Sequence, residues 1–108
     1  MINSAIQAYL PNAIELFKKH KIKKAYVFGS ALTDKFNKDS DVDFLVNLQD
    51  GLDPVAAGEH LWDLEYELRE LLKRNVDLIT ERSLKNPYFI SEVNATKVAI
   101  YGLMHEKL

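Results

Sequence analysis

The chain has 108 residues, a formal net charge of −2, 47% hydrophobic and 28% charged residues, and no cysteine. One domain with a single core fits that length, with little room for a separate substrate domain. The charge balance excludes a global basic field that would make nucleic acid the main partner, and the absence of cysteine excludes disulfides and thiolate metal sites. No charged segment followed by an apolar stretch opens the sequence, and no apolar run reaches the roughly 20 residues that span a bilayer, so a soluble, cytoplasmic protein without membrane contact is expected.

At the start of the chain, Ile2, Ala5, Ile6, Tyr9, Ala13, Ile14 and Phe17 recur at helical spacing, and Pro11 either kinks this helix or begins its second half. The lysines at 18, 19, 21, 23 and 24 read as a solvated helix end that complements the helix C-terminus. Ala25-Tyr26-Val27-Phe28 then forms a short buried strand, broken by Gly29 and Ser30. A helical turn over Ala31 to Lys35 would aim free N–H groups at the space beyond the strand, a place that suits an anion. Gly29 lets a phosphate approach closely and Ser30 adds a hydroxyl donor, although a Gly-Ser pair after a strand also makes an ordinary turn.

Ten residues separate Ser30 from Asp41-Val42-Asp43-Phe44-Leu45-Val46, whose alternation puts Asp41, Asp43 and Leu45 on one face of a strand and Val42, Phe44 and Val46 on the other. Same-face neighbours sit roughly 6.6 Å apart, a span that side chains can close onto one divalent ion, or onto two about 3.5 to 4 Å apart. All-oxygen ligation favours magnesium or manganese over zinc. The bland alternative is solvated charge that protects a sheet edge. A second run, Asn75-Val76-Asp77-Leu78-Ile79, repeats the pattern, with Asp77 and Ile79 on one face. If the two strands are neighbours, Asp77 falls beside Asp43, and a cation would relieve the repulsion of three acids.

Between these strands, Gly51 marks a break, Asp53 is a good N-cap, and Pro54 suits the first position of a long helix that ends near Arg74. Leu61, Leu64, Leu68, Leu71 and Leu72 make its core stripe, while Trp62, Tyr66, Val55 and Arg69 share an adjoining face that is either a contact surface for another protein or extra core. Asn86 can cap a helix opening with Pro87, with Phe89 and Val93 paired at helical spacing, and Val98-Ala99-Ile100-Tyr101 reads as a last strand. The order is helix, strand, short helix, strand, long helix, strand, helix, strand, a small α/β domain. His20, His60 and His105 look scattered, and none is expected to be catalytic. Neither a Rossmann glycine fingerprint nor a Walker A motif is present.

Taken together, Gly29-Ser30, the ten-residue gap, Asp41-Val42-Asp43 and Val76-Asp77-Leu78 resemble the DNA polymerase β-like nucleotidyltransferase superfamily and, within it, the minimal nucleotidyltransferase (MNT) family. The resemblance runs from about Ala25 to Tyr101. It implies a single nucleotidyltransferase domain over residues 1–108, with a mixed sheet of about four strands, helices packed on one side and the acids on the open side. It also implies attack by a hydroxyl on the α-phosphate of a nucleoside triphosphate, ATP foremost. Asp41, Asp43 and Asp77 would be the catalytic residues and would hold two Mg²⁺ ions, with Mn²⁺ as a substitute. Asp77 would lie nearest the incoming hydroxyl, and Gly29 and Ser30 would bind the β and γ phosphates.

Family members this small often pair with a HEPN-domain protein, and some transfer AMP to a tyrosine of that partner as the antitoxin of a toxin pair. The sequence departs from the family in one respect. Ala31, Leu32, Thr33 and Asp34 stand where many members carry arginines, leaving Lys35 or Lys38 to supply charge. That departure keeps open the alternative of a catalytically weak or inactive module that neutralises a partner through the face around Trp62 and Tyr66. Base preference and self-association into a homo-oligomer are also left open.

Overall fold

The computed structural model describes residues 2–102. Asn3 opens the first helix, α1 (Ser4–Gln7), its side chain accepting from the Ala5 N–H. The chain restarts as α2 (Leu10–Lys19) with Pro11 in its first turn, where a missing N–H costs nothing. Of the two readings of Pro11, the start of a second helix is the one the fold takes. Lys21 adopts left-handed backbone, φ 62°, and turns the chain into β1 (Ile22–Phe28).

A single 3₁₀ turn, Gly29–Leu32, follows β1 directly. The helical turn expected over Ala31 to Lys35 starts instead at Gly29 and closes when the Thr33 N–H returns to the Ser30 carbonyl at 3.0 Å, with Thr33 itself extended. β2 (Val42–Leu48) begins one residue after Asp41. The Asp53 carboxylate accepts from the N–H groups of Val55 and Ala56 at 3.1 and 3.3 Å and so caps the long helix α3 (Pro54–Leu72). Left-handed Lys73, φ 56°, ends α3 two residues before Arg74. β3 (Val76–Thr80), a 3₁₀ turn at Glu81–Ser83, α4 (Pro87–Thr96) capped by Asn86, and β4 (Val98–Tyr101) complete the order.

The four strands form one mixed sheet in the order β3-β2-β1-β4. β1 runs antiparallel to β2 and β4, whereas β2 and β3 are parallel, and α3 is the crossover that a parallel pair requires. The α2 and α3 side carries the larger core: Ala25, Val27, Val42, Phe44, Val46 and Val76 pack with Phe17, Leu64, Leu68 and Leu72. Phe17 meets Phe44 edge-on, ring centroids 6.0 Å apart. Fully burying each such side chain contributes about 1.5 to 3 kcal/mol, which is what holds the two long helices to the sheet.

The opposite side is partly covered, because Val93 of α4 packs on Tyr26, Phe28 and Leu45 and Phe89 lies edge-on to Phe28. The long helices thus lie on one side as expected, and α4 adds a wall on the acid-bearing side. Trp62 and Tyr66 point outward, 78% and 60% exposed, so the reading of them as extra core does not hold. Among the described residues no helix is long and apolar enough to cross a membrane.

Candidate active site

Register brings the acids together. Phe28 pairs with Asp43 across β1 and β2, and Asp43 pairs with Asp77 across β2 and β3, so all three side chains share the α4 side of the sheet. Asp43 is half-buried, whereas Asp41 and Asp77 are exposed. The Asp43 carboxyl is pushed up to about 6, first by burial, then by the charge of Asp77, by a hydrogen bond with the Asp77 carboxyl, and by the charge of Asp41. At neutral pH the Asp43 carboxylate therefore sits in the field of two further acids, which is what favours its protonated form.

Gly29 stands against this pair. Its backbone is left-handed, φ 78°, and a β-carbon there would collide with Oδ2 of Asp43. The bare glycine, expected to admit an approaching phosphate, also makes room for the carboxylate in the fold. The Ser30 hydroxyl, expected to donate to a phosphate, donates here to the Asp41 carbonyl at 3.3 Å and ties the turn to the far end of its own loop. Ser30's carbonyl accepts the Thr33 hydroxyl at 2.9 Å.

The loop that ends in Asp41 is held by a residue from just beyond the C-terminus of α3. Arg74 reaches back to donate from Nη1 to the carbonyls of Asn37 and Ser40 at 2.9 and 3.0 Å, with its guanidinium over the Phe36 ring at 4.5 Å from the centroid. The Val42 N–H donates to the Asn75 carbonyl at 3.1 Å, so the residues flanking Arg74 and Asp41 are joined through the backbone as well. The available signal in the sequence was proximity: Arg74 lies three residues before Asp77.

Chemically, the donors are hard carboxylate oxygens, the kind magnesium takes one or two of while keeping several waters. Among the described residues no three acidic or imidazole groups stand as a ready-made cage; Asp43 and Asp77 are the close pair, and Asp41 acts on Asp43 through its charge. A pair of mutually repelling carboxylates fits a divalent cation in kind and in number.

The histidines need a correction. His20 and His60 are not scattered: their Nδ1 atoms are 3.2 Å apart, and His20 Nε2 lies 2.6 Å from Glu67 Oε1. Lys19 completes the group with a 2.9 Å ion pair to Glu67. This cluster joins α2 to α3, on the side of the sheet away from the acids, so it takes no part in the candidate site. His105 lies outside the described residues.

Residues 10–100 match the family model of the nucleotidyltransferase domain. A provisionally named protein adenylyltransferase of Methanocaldococcus jannaschii is 39% identical over 74 residues, covering 68% of this chain and 71% of that protein. A second from the same organism is 38% identical over 73 residues, 68% of this chain and 70% of the relative. Among solved structures, a chain of a toxin-antitoxin complex crystallised with AMP-PNP superposes with a TM-score of 0.69 at 26% identity, covering 90% of this chain and 76% of that one. A complex of a tri-AMPylated Shewanella oneidensis HEPN toxin with an MNT antitoxin gives 0.65 at 25% identity, with coverages of 94% and 76%. A provisionally named minimal nucleotidyltransferase gives 0.69 at 26% identity over 91% and 95% of the two chains. With the acidic strands paired behind the glycine turn and the match running over most of its length, this chain belongs to the nucleotidyltransferase domain family, in its minimal MNT branch.

Proposed function

We propose that this chain is an adenylyltransferase that moves AMP from ATP to a hydroxyl of a partner protein, a tyrosine of a HEPN-type protein foremost, and acts as the antitoxin of that pair. The observation that carries the reading is the register of Asp43 with Asp77 immediately beside Gly29. Relatives named as protein adenylyltransferases and a solved complex of an AMPylated HEPN toxin with an MNT antitoxin support it. Residues 1–108 would then serve as one catalytic domain.

In this reading the acceptor oxygen attacks the α-phosphorus, the bond from that phosphorus to the bridging oxygen breaks, and pyrophosphate leaves. Asp77, exposed beside Asp43, accepts or relays the hydroxyl proton. Asp41, Asp43 and Asp77 would hold Mg²⁺, which when bound neutralises charge on the phosphates. The Ser30 hydroxyl and the N–H groups of the Gly29 turn hold the β and γ phosphates, and Lys35 or Lys38 adds point charge from the exposed loop. The rate gain is mostly positioning.

Ala31 favours the second reading, a binder without turnover. It is 1% exposed and belongs to the core, so no guanidinium can reach the phosphates from that position. The two readings separate in one experiment. Labelled ATP, Mg²⁺ and a HEPN-type protein from the same organism should give a labelled partner, and Asp43→Asn should abolish the label. Absence of transfer with every nucleoside triphosphate, while the partner is still bound and neutralised, would sink the catalytic reading and leave the binder.

A further inference from the structure

The back of the molecule carries a second feature that catalysis does not use. Between α2 and α3 lies a cavity of about 500 Å³ whose walls include Leu16, Tyr66 and Leu71 together with Glu15, Glu67 and Glu70. One turn before Tyr66, Trp62 is 78% exposed, and Val55 on the same helix is 69% exposed. Positions 55, 59, 62, 66 and 70 form one stripe along a helix, so an apolar groove and an aromatic ridge lie side by side. A large exposed tryptophan next to a groove is what interface centres use.

Charge narrows the occupant. α3 carries Glu59, Asp63, Glu65, Glu67 and Glu70 against one arginine, Arg69. Glu65 is paired with Arg69 and Glu67 with Lys19, whereas Glu59, Asp63 and Glu70 make no ion pair among the described residues. These three flank Trp62 and Tyr66 on the helix. A groove between two helices accepts a third at about 8 to 10 Å between axes, and acidic edges select a basic one.

We propose that the α2–α3 groove and the Trp62–Tyr66 ridge form a docking surface for an amphipathic helix of a partner protein, with lysines or arginines flanking its apolar stripe. This deepens the reading above and rests on it only in that a partner exists. α2 and α3 lie on the side of the sheet away from Asp43 and Asp77, so the docked helix and a bound nucleotide do not compete. The partner is gripped on one side while another of its segments reaches the acids.

Trp62 is the single tryptophan of the chain, so its emission reports directly on this surface. The probes are a synthetic leucine/lysine amphipathic helix, its leucine/glutamate counterpart, and a HEPN-type protein from the same organism. The lysine peptide and the partner protein should shift Trp62 emission to the blue and saturate, and the glutamate peptide should not. By calorimetry, Trp62→Ala and Glu70→Lys should each weaken binding of both ligands at least about tenfold (1.4 kcal/mol or more). Asp43→Asn should bind them as the parent does. Equal binding of the two peptides, or a partner complex indifferent to Trp62→Ala, would overturn the proposal, as would concentration-dependent self-association that buries Trp62. Loss of AMP transfer with docking intact counts only against the catalytic reading, and transfer with docking lost counts only against this one.

Discussion

Gly29 and Asp43 are fitted to each other: the space a side chain at position 29 would need is taken by the Asp43 carboxylate, and the φ of 78° at Gly29 strains any other residue. Gly29→Ala should therefore lower stability by about 1 to 2 kcal/mol. It should also cut the proposed AMP transfer by at least about tenfold, because it displaces the carboxylate on which the proposed chemistry turns. Thermal melts and initial rates of partner labelling, taken on the same preparation, check both.

Asp43 makes stability depend on pH with a definite sign. Its folded value of about 6 lies above the ordinary 3.8, so between the two the folded chain holds a proton that the unfolded chain has released. Stability falls as pH rises through that window and stays lowered above it. Asp43 is only half-buried, and solvent screening keeps the effect to about 1 kcal/mol at most. Asp43→Asn should melt higher than the parent at about pH 7.5 and level with it near pH 4, while losing transfer.

Cation binding should oppose the same repulsion. Mg²⁺ should raise the melting temperature of the parent at about pH 7.5 and much less at about pH 5, where a proton competes for Asp43. The rise should vanish in Asp43→Asn and shrink in Asp77→Asn. A calorimetric series in Mg²⁺ at the two pH values reads this, and an equal rise in all three proteins would refute it.

Arg74 closes the loop before Asp41 with two bonds to carbonyls and a stack on Phe36, and its Nε is buried without a hydrogen-bond partner among the described residues. Arg74→Ala should cost about 1 to 3 kcal/mol in denaturant unfolding. It should also weaken Mg²⁺ binding by letting Asp41 drift. Arg74→Lys should recover little of either, since an ammonium offers neither the planar stack nor the fork.

Glu67 gives the opposite pH sign. The hydrogen bond from Lys19, and then the hydrogen bond and charge of His20, outweigh the opposing effect of burial and hold it below the usual carboxylate range. Its contribution is present above the unfolded value and lost as pH falls through the lowered one. Glu67→Gln should therefore be less stable than the parent at neutral pH and converge with it in acid, as paired thermal melts across that range will show.

Local chemistry alone made much of this protein legible. Asp53 and Asn86 announce helix starts because a short polar side chain there satisfies N–H groups two and three residues away. The alternation of Asp43 with Phe44 and of Asp77 with Leu78 sorts acids from core because strand side chains alternate by geometry. What the sequence could not contain is which distant segments meet. Only the tertiary structure decided that β3 lies next to β2, that α4 crosses to the acid side, that His20 finds His60 forty positions away, and that Arg74 reaches Ser40 across thirty-four. Each depends on how apolar faces pack over the whole chain, and no pattern within a single helix or strand encodes that choice.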